Sequence, residues 1–231
     1  MTRTTNARIA GFTFLFYIVV GIAGMILFSQ ATAGEGVTAK LASIAGHAFQ
    51  ARLTILLGIA QAVCAIVLGV TLYRITCEQD SDLAMLALIF RVAEGFLGAI
   101  STRATLELLW LGTASGPNSP DAATLRTIGT YLLDRPGWNM GAVFFAMGST
   151  VFSYLLLRGR IIPIPLAWLG VEASVLLLVG LALQAAEFLH GPLASFMWLP
   201  MLIFEVPLGF WLLIKGVPMK ATVIAGRSVE A

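Results

Sequence analysis

The chain has 231 residues, 58% hydrophobic and 11% charged, with a net charge of +2 and a mean hydropathy of +0.91. Soluble domains carry about 25% charged residues, so there is too little polar surface to coat a water-exposed globule, and the composition is that of an integral membrane protein. The small charge, with no basic run and no aromatic stacking platform, excludes nucleic acid as a partner and leaves the lipid bilayer.

Apolar runs predict six spans, roughly 9–29, 53–73, 83–111, 139–158, 162–184 and 195–215. They are continuous instead of alternating, which excludes a β-barrel. The expected fold is an all-α six-helix bundle forming a single membrane domain over residues 1–231. Arg3 and Arg8 precede the first run, and Ala31-Thr32-Ala33 imitates a signal-peptide cleavage site. The run outlasts the usual h-region of about 7–15 residues, so it reads as a retained span.

After it, Val37, Leu41, Ile44, Ala48 and Phe49 recur at helical spacing opposite Lys40, Ser43, His47 and Gln50. This predicts a short amphipathic helix on the outer leaflet or over the bundle, or else an extension of the next span. Cys64 and Cys77 stand roughly 20 Å apart along a helix, too far for a disulfide.

The third run contains "IFRVAEGFLG", with Arg91 and Glu94 where the neighbours are apolar. At roughly 2.5–3.5 kcal/mol for each mid-span charge, the two oppose insertion by about 5–7 kcal/mol, nearly cancelling the apolar gain. This helix needs partners. At about 100° per residue, Arg91, Glu94, Gly95, Gly98, Thr102 and Thr105 share one face that should point inward. Arg103 and Glu107, four apart and nearer the helix end, read as an interfacial ion pair.

In "SPDAATLRTIGTYLL", Ser119 is the expected N-cap and Pro120 the first residue of a second amphipathic helix. Gly148-Ser149 of the fourth run reads as a packing site. Pro163 and Pro165 open the fifth run, which carries Glu172. Pro200 and Pro207 bracket Glu205 in the sixth, where a kink or break is expected. Glu94-x-x-Leu97-Gly98 and Glu205-x-x-Leu208-Gly209 are a short match between the two halves of the chain.

Counted from the helix ends, Arg91, Glu94, Glu172 and Glu205 lie roughly 12–17 Å deep. One cation against three anions is expected to hold a proton on at least one carboxyl. The alternative is that the charges only fix helix packing. No cofactor is expected. His47 and His190 both lie outside the apolar core, which argues against haem, and Glu187, His190 and His47 make at most a weak outer metal site. No nucleophile elbow, zinc-protease or phosphate-loop pattern occurs, and no catalytic residue is assigned.

Lys and Arg set the expected orientation. Arg3, Arg8, Arg74, Arg158, Arg160, Lys215, Lys220 and Arg227 fall on one side, with Lys40, Arg52, Arg126 and Arg135 in longer loops on the other. The positive-inside rule then puts both termini in the cytoplasm. Trp110, Trp138 and Trp198 fall at the outer interface, and Tyr73, Tyr154, Trp168 and Trp211 at the inner one.

"ARIAGFTFLFYIVVGIAG", "IFRVAEGFLG", "GAVFFAMGSTVFSYLLLRGRIIPIPLAWLG" and "FEVPLGFWLLIKGV" resemble the bacterial domain-of-unknown-function family 4386. The shared elements correspond to Arg91, Glu94, Pro163, Glu205, Trp211 and Lys215. Ile164-Pro165 stands where a basic residue would follow the proline. The resemblance implies a six-span protein of the bacterial inner membrane and supplies no activity. The expected function is proton-linked transport or sensing of a small polar or protonatable ligand. A non-catalytic subunit that binds a membrane-protein partner or a second copy is the alternative, and a membrane-embedded lipid-modifying enzyme comes third.

Overall fold

In lipid, a chain must satisfy its own backbone hydrogen bonds, and continuous apolar runs do so as helices. The computed structural model describes residues 2–116, 119–134 and 140–217. Among these there is no strand, and the α-helices are α1 (Arg3–Ala31), α2 (Gly36–Gly46), α3 (Ala48–Thr76), α4 (Ser81–Thr113), α5 (Ala122–Asp134), α6 (Met140–Arg158), α7 (Ile164–Ala185), α8 (Pro192–Phe196) and α9 (Leu199–Ile214). Six stretches are long and apolar enough to cross a membrane: α1, α3, α4, α6, α7 and Pro192–Ile214, which joins α8 to α9. The protein is a multi-pass membrane protein. Arg135, Trp138, Lys220, Arg227 and the expected start of the fourth span at residue 139 lie outside the described residues.

The two ends of the bundle differ. The terminal end holds the start of α1, the α3–α4 and α6–α7 turns and the end of α9, and ion pairs lace it together. Arg3 Nη1 lies 3.2 Å from Glu78 Oε2, and Arg3 Nη2 donates to the Ile75 carbonyl at 2.8 Å. Arg158 Nη1 lies 3.0 Å from Asp80 Oδ2, while Asp80 Oδ1 accepts the Leu83 N–H and so caps α4.

The far end carries α2, α5 and α8. Leu41 and Ile44 of α2 bury with Ala31, Ala51, Leu108 and Leu111 in an apolar cluster of their own, and Leu125, Leu132 and Leu133 of α5 pack against it. The amphipathic helices therefore cap the bundle. Gly112 permits the close seat of α2, since a Cβ there would meet the Leu41 carbonyl oxygen at 2.8 Å.

Two local expectations change. The backbone breaks at His47, so α2 is separate from α3, and Phe49, rotated by that break, is exposed rather than facing the cluster. α5 begins after Asp121, not Ser119, because Asp121 Oδ1 accepts the Thr124 N–H at 2.7 Å while the Ser119 hydroxyl donates to the Ala114 carbonyl.

The main core draws on α1, α3, α4, α6, α7 and α9 through residues such as Phe14, Leu68, Ala87, Phe152, Leu177 and Leu212. Small residues let backbones touch. A Cβ on Gly11 of α1 would fall on the Leu213 nitrogen and the Gly209 carbonyl of α9. Pro163 caps α7 and Pro165 lies in its first turn. Pro200 opens α9, which runs on through Glu205 and Pro207. The interruption in the last span falls instead between α8 and α9, beside Met197 and Trp198.

Candidate functional site

The inward face of α4 buries Arg91, Glu94 and Gly95. Arg91 is 1% exposed, and glycines on two other helices leave a slot for its stem. A Cβ on Gly69 of α3 would meet Arg91 Cβ at 2.9 Å, and one on Gly148 of α6 would meet Arg91 Cδ at 3.1 Å. Arg91 Nη1 lies 2.9 Å from Glu94 Oε2, one turn along the same helix. The guanidinium carbon stands 5.1 Å from the Phe145 ring centre and 5.7 Å from that of Tyr17, within cation–π range. None of the guanidinium's three nitrogens has a hydrogen-bond partner among the described residues, so the contact with Glu94 is a charge pairing without hydrogen-bond alignment.

Glu94 has an ion pair at one oxygen and a hydrogen bond at the other. Oε2 faces Arg91, and Oε1 accepts the Tyr17 hydroxyl from α1 at 2.8 Å. Glu205 of α9 is 5% exposed and has no hydrogen bond or ion pair among the described residues. Arg91 and Glu94 are the charged groups within electrostatic reach of it.

Glu94 and Glu205 share the wall of a half-open cavity of about 750 Å³, whose rim includes the exposed Ile22, Met25 and Phe196. Tyr17, Gln61 of α3, and Thr102 and Thr105 of α4 add polar groups, while Phe196 and Trp198 supply aromatic surface. From the two carboxyls the cavity extends along the helices toward the far end, where Thr54, Gly141 and Ser195 line it. Arg91 is not on this wall. Glu94 and the two rings separate it from the cavity, so it cannot directly anchor an anion there.

A family model described as Domain of unknown function (DUF4386) matches residues 9–216. The chain belongs to the DUF4386 family. No curated protein and no solved structure matches it.

The structure of this DUF4386 member brings Arg91, Glu94 and Glu205 together and leaves Glu172 out. α7 turns Ala167, Gly170, Ser174 and Leu177 inward at helical spacing. Glu172 thus falls on the opposite face, exposed among Trp168, Val175 and Leu176. Arg103 Nε and Glu107 Oε1 lie 2.7 Å apart on the exposed side of α4. Glu187 and His190 line another far-end cavity, which shares Met25, Ser195 and Trp198 with the first. His47 Nδ1 lies 3.0 Å from the Ser43 carbonyl on α2. Among the described residues no group of three or more His, Cys, Asp or Glu is placed to hold a metal.

Gly98 and Gly209, matched in the two halves of the chain, occupy different surroundings. A Cβ on Gly98 meets nothing within 4 Å, whereas one on Gly209 meets Leu15 at 3.0 Å. Tyr17, Gln61 and Trp198 joined the site only in three dimensions. Gln61, an amide within the second apolar run, was the one visible signal among them.

Proposed function

We propose that this DUF4386 protein binds a small ligand in the mid-membrane cavity and exchanges a proton at Glu205, in transport or in sensing. The observation that carries the reading is Glu205 itself, a carboxyl buried on a cavity wall with no partner among the described residues. Burying an unpaired charge is expensive, and intramembrane ionisable groups that face a cavity serve pathways and relays. Glu94, bound by Arg91 and Tyr17, is the fixed neighbour. Protonation changes therefore fall on Glu205, the group with nothing to lose. Under the positive-inside rule the terminal end, with Arg74, Arg158 and Lys215, faces the cytoplasm of a bacterial inner membrane. The cavity then extends toward the outer face.

Infrared difference spectra of the protein in lipid nanodiscs, acidic minus alkaline, test this. A neutral-carboxyl carbonyl band is expected that disappears in Glu205→Gln while the variant keeps wild-type helicity. A spectrum with no band dependent on Glu205 would remove the proposal. If Glu205→Gln and Glu94→Gln both fail to fold, the cluster is scaffolding.

A further inference from the structure

The charges around the cavity indicate which ligand it would take. Arg91 and Glu94 cancel at 2.9 Å, so among the described residues the one uncompensated ionisable group on the wall is Glu205. Among the described residues the groups within electrostatic reach of it from neighbouring helices are few: Tyr17 from α1, and Arg91 and Glu94 from α4. The carboxyl of α7, Glu172, is on the outside. With Glu205 protonated the site is neutral, and with it ionised the site carries a single negative charge. Among the described residues an anion finds no cation on the wall. A monovalent cation finds one carboxylate, the aromatic surfaces of Phe196 and Trp198, and the hydroxyls and amide of Thr102, Thr105 and Gln61.

Size argues for an organic ion. About 750 Å³ falls within the range of small-molecule sites, roughly 300–1,000 Å³. Most of the remaining wall is aliphatic, including Ile18, Ile22 and Leu202. From this we infer that the cavity is a binding site for a monovalent organic cation of the amphiphilic amine class. The ammonium would sit on Glu205 and the apolar body would extend toward Trp198. The inference rests on the ligand-site reading above and gives it a chemical class.

It also gives the proton a role. When an ammonium seats on Glu205 in its acid form, the carboxyl O–H bond breaks and the proton leaves to solvent. One cation enters, one proton departs, and the cavity's net charge is unchanged. The two species compete for one carboxyl, which is the linkage an exchanger or a pH-gated sensor requires.

Titration calorimetry on the full chain in nanodiscs, against empty discs, can use three probes of nearly equal shape: benzylammonium, benzyl alcohol and benzoate. Benzylammonium should bind on the order of tenfold tighter than benzyl alcohol, the value of one charge-assisted hydrogen bond, and benzoate should not bind. Glu205→Gln should remove that preference and leave the alcohol unchanged. Gly98→Leu should abolish binding of both while remaining folded, because Gly98 lines the cavity and its added Cβ meets no atom.

Equal affinity for amine and alcohol, with both lost in Gly98→Leu, overturns the cation assignment and leaves the cavity as a ligand site. Preferential binding of benzoate overturns the assignment as well. Binding of none of the three above the empty-disc baseline overturns the assignment and the ligand-site reading together. If Glu205→Gln does not fold, the order of the three probes and the Gly98→Leu result decide the matter.

Discussion

Glu94 and Glu205 are equally buried but differ in what depends on them. Replacing Glu94 by Gln strands the Arg91 guanidinium between Gly69, Gly148 and two rings. Breaking a buried pair from one side costs about 3–5 kcal/mol. Glu205→Gln removes no partner and should cost less than about 1 kcal/mol. Reversible unfolding in detergent of Glu94→Gln, Arg91→Met and the double variant would measure the coupling. The double variant should be more stable than the sum of the two losses implies, and strict additivity would show that the pair is not coupled. Arg91 and Glu94 were readable from the third run because two charges there admit few explanations. Tyr17 was not, since a tyrosine in an apolar run is unremarkable until a carboxylate lies 2.8 Å away.

Each helix carries its own record of what could be foreseen. The six spans follow from the continuous apolar runs. The inward face of α4 also follows, because polar and small residues mark one side. α7 is apolar nearly all round, so its sequence names no preferred face, and Glu172 is turned outward by the small residues at 167, 170 and 174. Glycines in these helices should respond to substitution according to what lies opposite. Gly98→Ala should raise the unfolding midpoint, since alanine gains roughly 0.5–1 kcal/mol over glycine in a helix. Gly69→Ala should lower it, because the added carbon presses on Arg91 Cβ at 2.9 Å. The same sign for both in a thermal unfolding assay would contradict the slot described for Arg91.

At the start of α4, the Leu83 N–H and then Arg158 hold the Asp80 carboxyl below its usual range. An unfolded Asp titrates near about 3.9. The stabilisation is therefore complete above that value and is lost as pH falls through the lower folded value. Melting curves of wild type and Asp80→Ala should be separated at neutral pH and converge in strong acid. A constant gap would show that ionisation of Asp80 plays no part.

Viewed whole, the ion pairs of the terminal end, the carboxyls of the cavity and Glu172 on the outward face of α7 stand in separate settings. Glu172 is divided from Glu205 by the thickness of α7, so Glu172→Leu should leave the Glu205 infrared band and benzylammonium affinity unchanged. Loss of either would mean that the two acids communicate. The neutral pair within α4 has a further bearing on how such a molecule reaches its final state. Because Arg91 and Glu94 are one turn apart on a single helix, their mutual neutralisation requires no other span. A nascent α4 can enter the bilayer as a dipole instead of two free charges, and the 5–7 kcal/mol obtained by adding isolated penalties overstates the barrier it meets. Biogenesis then need not wait for the rest of the bundle, and only the final seating of the guanidinium between its glycines depends on neighbours still to be made.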